Sequence, residues 1–211
     1  MITLEEVLSP ENMLRAMDKV TMNKGAPGVD RMTVDELPEH FRKHGESICD
    51  HIRQGRYIPS PVRRVDIPKP NGGTRMLGIP TVQDRVIQQA IAQVLMRHYD
   101  PTFSEFSYGF REGRGARDAI AQTSAYIKEG RNWIVEMDLE KFFDTVNHDR
   151  LMSRLERDIK DRMLLRLIRR YLRTGILENG LISARTEGTP QGSPLSPILS
   201  LIVLDELDKY L

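Results

Sequence analysis

Several of the usual means of stabilising or activating a protein are scarce in this 211-residue chain. There is one cysteine, Cys49, so neither an internal disulfide nor a cysteine-rich zinc site can form, and an ordinary buried or half-buried thiol in a reducing compartment is expected. No apolar run approaches the roughly 20 residues that a membrane span needs. The opening MITLEEVLSP is acidic and places no basic leader before an apolar segment, so no secretory signal, no membrane attachment and a cytoplasmic location are expected. No G-x-x-x-x-G-K-[ST] phosphate loop occurs, and no Ser and His share triad-like surroundings. His40, His44, His51, His98 and His148 are scattered, which leaves no His/Cys cluster for zinc. Net charge is also nearly absent, at +1.

What is present fits a soluble globular domain: 39% hydrophobic and 29% charged residues, with length for one or two domains and a sizeable core. The small net charge hides an asymmetry. Residues 1–50 hold six Lys/Arg against ten Asp/Glu, residues 51–75 six against one, and residues 150–173 nine against three. Basic blocks of this kind either neutralise phosphates or form solvated helix faces.

Apolar spacing predicts helices over 3–22, 33–53, 82–98, 114–129 and 148–174, and a last helix that closes the chain after Pro197. In 148–174, Leu151, Leu155, Ile159, Leu164, Ile168 and Tyr171 face inward while Arg154, Arg157, Arg166, Arg169 and Arg173 face out. Residues 62–67 and 74–79 alternate as strands around Pro68-Lys-Pro-Asn-Gly-Gly73, a hairpin with a basic tip. Asn23-Lys-Gly-Ala-Pro-Gly-Val-Asp30 reads as a loop, and Gly175 as a helix stop. No repeat, low-complexity tract or linker interrupts this α+β pattern.

One stretch carries the chemistry: Trp133-Ile-Val-Glu-Met-Asp-Leu-Glu-Lys-Phe-Phe-Asp144. Trp133, Ile134, Val135, Met137 and Leu139 predict a short buried strand, which would place the Asp138 carboxylate where ionisation costs several kcal/mol unless compensated. Backbone donors could cap it, or it could hold a metal. A hard carboxylate beside basic segments, with Lys69 and Arg75 on a hairpin, points toward Mg²⁺ and phosphates.

In order along the chain, five segments resemble motifs of the reverse-transcriptase domain of group II intron-encoded maturases. The 23–30 loop resembles the N-terminal extension motif. Ile67-Pro-Lys-Pro-Asn-Gly-Gly-Thr-Arg-Met-Leu-Gly-Ile-Pro80 with Asp84-Arg85 resembles the first fingers motif, and Ser107-Tyr-Gly-Phe-Arg111 the second. Met137-Asp-Leu-Glu-Lys-Phe-Phe-Asp-Thr-Val-Asn-His148 resembles the metal-binding motif of the palm. Gly188-Thr-Pro-Gln-Gly-Ser-Pro-Leu-Ser-Pro197 resembles the nucleotide-pocket motif that follows it.

The resemblance implies a right-hand polymerase fold with fingers over 1–130, comprising an N-terminal extension (1–58) and the basic hairpin (62–79). An incomplete palm would cover 131–211 with an inserted Arg-rich helix (148–174), and the thumb would be absent. It implies that Asp138 is catalytic and ligates two Mg²⁺ ions, with the Leu139 carbonyl as a further ligand to one. Such ions clamp the attacking 3′-oxygen and the leaving pyrophosphate in an in-line displacement. Lys69 and Arg75 would grip the incoming triphosphate, Arg as a fork and Lys as a point charge, and Gln191 would touch the nucleotide. Phe143 would sit under the sugar as a steric gate against a 2′-hydroxyl, where core packing is the plainer alternative. Asp144 suits either a local cap or the substrate. Arg63, Arg64 and Arg111 would contact nucleic acid, with largely sequence-independent, salt-sensitive binding at the phosphates. Expected partners are group II intron RNA, an RNA template, a DNA primer and dNTP; a homodimer is compatible with the sequence.

The family's Tyr-x-Asp-Asp hairpin is not among these residues, and Asp205 and Asp208 read as solvated or capping side chains. The 211 residues alone are therefore expected not to polymerise efficiently. Two competing readings are an intron-RNA-binding splicing factor without polymerase activity and a related prokaryotic reverse transcriptase from a retron, diversity-generating element or defence locus.

Overall fold

A computed structural model describes residues 1–68, 72–178, 181–183, 186–190 and 192–210, with only the backbone of Arg75 described. Lys69 and Gln191 therefore lie outside the described residues. The helices are α1 (Leu4–Val7), α2 (Pro10–Met22), α3 (Leu37–Arg53), α4 (Val82–Tyr99), α5 (Ala116–Lys128), α6 (Phe142–Thr145), α7 (His148–Asp158), α8 (Arg162–Leu172) and α9 (Ser196–Tyr210). The strands β1 (Val62–Pro68), β2 (Thr74–Ile79), β3 (Ile176–Glu178) and β4 (Leu181–Ser183) form one mixed sheet in the order β2-β1-β3-β4. The α+β class follows, and among the described residues no helix is long and apolar enough to cross a membrane.

The predicted hairpin forms: β1 and β2 pair antiparallel with Arg63 opposite Ile79 and Ile67 opposite Arg75. β3 then adds to β1 in parallel, with Val62 opposite Ile176. Behind the sheet, α4 is the central rod. Val86, Ile87, Ala90, Ile91 and Leu95 have no exposed surface, and the polar Asp84, Arg85 and Gln88 are buried with them. α2 packs along it, and the Asn12 side-chain amide joins the two by donating to the carbonyls of Val7 (2.8 Å) and Ala90 (3.0 Å).

Capping residues divide two of the predicted helices. The 3–22 run breaks where the Ser9 hydroxyl caps α2 and Pro10 takes its first position. The 148–174 run is two helices, because the Asp161 carboxylate accepts from the backbone of Met163 and Leu164 and starts α8 afresh. Ile159 is extended there. Asp161 also accepts the Leu4 amide at 2.7 Å, tying the N-terminus to this corner.

The predicted buried strand over 133–139 does not form. These residues have no regular secondary structure, and Trp133 is 96% exposed, Val135 84% and Met137 63%. A strand needs a ladder partner and a face to bury; among the described residues no strand pairs with this segment. Asp138 is consequently exposed. α5 shares this condition, with no buried residue along its length.

Asp205 corrects the opposite way. It is 4% exposed, inside α9, and pairs with Arg154 (3.1 Å) and Lys209 (2.7 Å).

Candidate nucleotide and nucleic-acid interface

The palm-like and nucleotide-pocket motifs are bound to each other through backbone. The Gly188 amide donates to the Val146 carbonyl at 2.8 Å, and the Thr189 amide to the Phe143 carbonyl at 2.6 Å. Buried His148 closes the junction, its Nε2 lying 2.7 Å from the Gly188 carbonyl. Gly188 has φ +78°, and a Cβ there would lie 2.7 Å from the Asp144 carbonyl oxygen and 2.8 Å from that of Phe143. No other residue fits so close to two carbonyls in a left-handed conformation.

The same loop then crosses to the fingers hairpin. Gly192, at φ +101°, lies so near β2 that a Cβ would come 2.9 Å from the Leu77 side chain and 3.0 Å from the Gly78 carbonyl oxygen. Ser193 donates to the buried Gln88 side chain on α4 at 2.6 Å, and Ser196 to the Pro190 carbonyl at 2.8 Å. Residues 188–196 thus join α6, β2 and α4.

Where these elements meet lies a cavity of about 540 Å³, lined by Phe143, Gly192, Ser193, Asn23, Arg85 and Phe110 among others. Phe143 is half-buried on its wall. A second cavity of about 750 Å³ shares Gln89, Phe110, Pro194 and Pro197 with the first and carries Arg15, Lys19 and Arg97. The two adjoin at these shared residues, and the second is lined by Asp100 and Glu112 as well as by the three cations.

The 23–30 loop is pinned at the edge of this cleft by two arginines. Arg85, 8% exposed, donates to the Ala26 carbonyl at 2.8 Å, while its Nε has no partner among the described residues. Burial pulls its guanidinium pKa down, with the nearby Asp30 charge opposing. Arg63, expected at nucleic acid, is half-buried and directs its Nε to the Pro27 carbonyl at 3.1 Å. The 23–30 loop is held through its carbonyls, a contact any sequence could offer, so the motif marked Arg85 without revealing its partner.

The two other arginines expected at nucleic acid are engaged elsewhere. Arg64 pairs with Asp66 (3.1 Å) and Glu178 (2.8 Å), so both neighbouring carboxylates offset its charge. Arg111 is 7% exposed and turned inward. It bonds Asp100 at 2.7 Å and the carbonyls of Ser104 (2.7 Å) and Ser107 (3.0 Å), and its cation lies over the Phe103 ring. Its placement is that of a loop anchor: a buried guanidinium must satisfy its donors internally.

Under the hairpin lies a buried polar cluster that sequence patterning missed. Asp84, 1% exposed in the first turn of α4, accepts from Tyr57 (2.7 Å), Tyr171 (3.1 Å), the Ser60 amide (3.0 Å) and Thr81 (2.7 Å). Burial pushes its carboxyl pKa above the ordinary value against the pull of those hydrogen bonds. The same burial raises the phenols of Tyr57 and Tyr171. The Thr81-x-x-Asp84 spacing is a helix-start signal; the tyrosines come from residues 27 and 87 positions away.

Asp138 and Leu139 offer hard oxygen donors of the kind Mg²⁺ prefers. Among the described residues no group of three or more His, Cys, Asp or Glu comes together. The donor set therefore suits an ion held by one protein carboxylate, a carbonyl and substrate phosphates, an arrangement common for Mg²⁺.

Residues 67–211 match the reverse transcriptase (RNA-dependent DNA polymerase) family. The chain is 37% identical over 215 residues to protein YkfC of Escherichia coli (strain K12), covering 99% of this chain and 56% of that protein. To the group II intron-encoded protein LtrA of Lactococcus lactis subsp. cremoris it is 38% identical over 207 residues, covering 97% of this chain and 34% of the other. A putative COX1/OXI3 intron 2 protein of Saccharomyces cerevisiae is 36% identical over 94% of this chain and 23% of its own length. Among solved structures, a partial Cas6-RT-Cas1--Cas2 complex aligns with a TM-score of 0.65 at 26% identity, covering 99% of this chain and 34% of that one. This chain thus spans between about a quarter and a little over half of these protein relatives.

Proposed function

The chain belongs to the reverse transcriptase family, and from that premise we propose that it forms the fingers and part of the palm of an RNA-directed DNA polymerase of the group II intron-encoded kind. The observation that carries this is the junction of residues 188–196 with α6, β2 and α4, which sets Phe143, Gly192 and Ser193 around one cavity beside the 23–30 loop. A nucleotide pocket needs such close backbone approach and a flat wall for the sugar.

In this reading Phe143 supports the deoxyribose and excludes a 2′-hydroxyl. Arg75 and Lys69 would grip the triphosphate, and Gln191 would touch the nucleotide; Lys69 and Gln191 lie outside the described residues. Asp138 and the Leu139 carbonyl would hold Mg²⁺, which when bound supplies charge stabilisation to the attacking and leaving oxygens. The cleft takes an RNA template and DNA primer through backbone contacts and duplex shape. The complete protein would copy RNA into DNA and assist splicing of its intron RNA.

Primer extension on an RNA template, with dNTPs and Mg²⁺ and the complete parent protein, tests the reading. Asp138→Asn should reduce extension to background while RNA affinity stays within about twofold, because phosphate contacts rather than one carboxylate carry binding. Retained extension would remove Asp138 from catalysis.

A further inference from the structure

The five histidines stand apart in the linear chain, but α3 brings two of them together. His40 and His44 are one helical turn apart, at i and i+4, so they share a face of the helix. Their ring centroids lie 5.0 Å apart with the planes tilted by 50°. Two imidazoles bound to one ion through Zn–N bonds of about 2.1 Å, at a near-tetrahedral angle, have centroids about 5 Å apart. The pair thus already has the spacing of two ligands of a single ion. The other three histidines have no such neighbour among the described residues: His51 is exposed, His98 lies edge-on to Tyr99, and His148 is spent on the Gly188 carbonyl.

A chain of hydrogen bonds fixes the proton on His40. Tyr57 donates its only hydroxyl proton to Asp84 at 2.7 Å, so its oxygen accepts from the Gln83 side-chain amide at 2.9 Å. That turns Gln83 Oε1 toward His40, and the 2.7 Å contact to His40 Nε2 requires Nε2 to carry the proton. In the neutral ring Nδ1 then keeps the lone pair. Metal-bound histidines are typically held in this way, with the nitrogen remote from the ion donating to an oxygen of the protein. His44 is exposed and makes no hydrogen bond among the described residues, so its ring is free to turn toward a shared ion.

The donor type selects the ion. Imidazole nitrogen suits zinc and its first-row neighbours, whereas Mg²⁺ prefers oxygen. No third His, Cys, Asp or Glu completes a cluster among the described residues, and nearby Glu39 is held by Arg42 at 2.7 Å and Lys43 at 3.0 Å. A bound ion would therefore keep positions open to water, as zinc does where the protein supplies fewer than four ligands.

We propose that His40 and His44 form a surface site for Zn²⁺, with His40 bound through Nδ1 and Gln83 supporting its ring from behind. The site shares no residue with the proposed Mg²⁺ and nucleotide positions, so it stands or falls apart from the polymerase reading. Through Gln83 and Tyr57 it is joined to the buried Asp84 cluster, which sets the ion where it ties α3 to α4.

Calorimetric titration of the tag-free 211-residue chain with zinc chloride, at about pH 7.5 where neutral imidazole prevails, tests this. One ion per chain should bind with micromolar affinity, and about 5 mM Mg²⁺ should not displace it. His44→Ala, a change at an exposed position, should weaken binding at least about tenfold, and so should His40→Ala. Gln83→Leu should weaken it about tenfold through the lost support of the His40 ring. In NMR of the imidazole nitrogens, the His40 Nδ1 resonance should move on zinc addition while Nε2 stays protonated. His51→Ala and Asp138→Asn should leave the titration unchanged. The absence of saturable zinc binding would overturn the proposal, as would unaltered affinity in His44→Ala or displacement of zinc by Mg²⁺.

Discussion

At the residue scale, two side chains show how differently a polar or apolar group can be deployed in this fold. Asp84 is enclosed and fully used, with Tyr57 and Tyr171 both donating to one carboxylate oxygen and Ser60 and Thr81 to the other. Asp84→Ala would strand two phenols and a backbone amide in the interior. At about 1–3 kcal/mol for each unsatisfied buried group, softened by relaxation, a loss of roughly 2–4 kcal/mol is expected in urea unfolding, with Thr81→Ala, which removes a cap, costing about 1 kcal/mol. Similar losses from both variants would argue that Asp84 acts only as a cap partner.

Phe143 is the converse case, a large apolar side chain left half-buried on a cavity wall. Phe142 beside it packs against the hydrophobic core instead. Phe143→Ala in the complete polymerase should raise ribonucleotide incorporation relative to deoxynucleotide by an order of magnitude or more, since a steric clash rather than a hydrogen bond would set the discrimination. Unchanged selectivity in single-nucleotide addition assays would return Phe143 to ordinary packing.

At the scale of elements, α5 and the 131–139 segment stand out because pattern and environment disagree. Ile120 and Ile127 of α5 are 66% and 50% exposed, and Trp133, Ile134 and Val135 form an apolar run on the surface. Such runs are normally covered by another element. Trp133, the single tryptophan, reports on this directly. In the 211-residue chain its emission should be that of a solvated indole and acrylamide should quench it without hindrance. In the complete protein the emission should move to the blue and quenching should fall several-fold. A blue-shifted, protected tryptophan in the 211-residue chain would contradict the exposed position of this segment.

At the scale of the whole molecule, charge is unevenly spread over the surface. The cleft between α2, α4, α6 and the 192–197 loop holds the proposed nucleotide pocket, and a groove between α7 and α8, lined by Lys160, Arg162, Arg166 and Arg169, carries concentrated positive charge. A net charge of +1 conceals both the groove and the acidic N-terminal quarter. Nucleic-acid affinity should therefore fall steeply with salt although the chain is nearly neutral, because local fields rather than the total set the binding. A salt-independent affinity would refute that separation of charge.

Local chemistry made much of this legible in the linear chain. Alternation and turn residues around Pro68–Gly73 specified the hairpin, and the one-sided apolar spacing of 82–98 specified a helix, since both depend on neighbours along the chain. The ordered motifs marked the family. Tertiary structure alone decided the rest. Arg111 looks like a phosphate ligand until its donors are seen spent on carbonyls and Asp100, and Arg63 until its Nε is seen on the Pro27 carbonyl. The break at Asp161 needed its capping geometry. Whether the 133–139 run lies in a sheet depends on a partner strand, and hydrogen bonding across a ladder is a property of two segments, never of one.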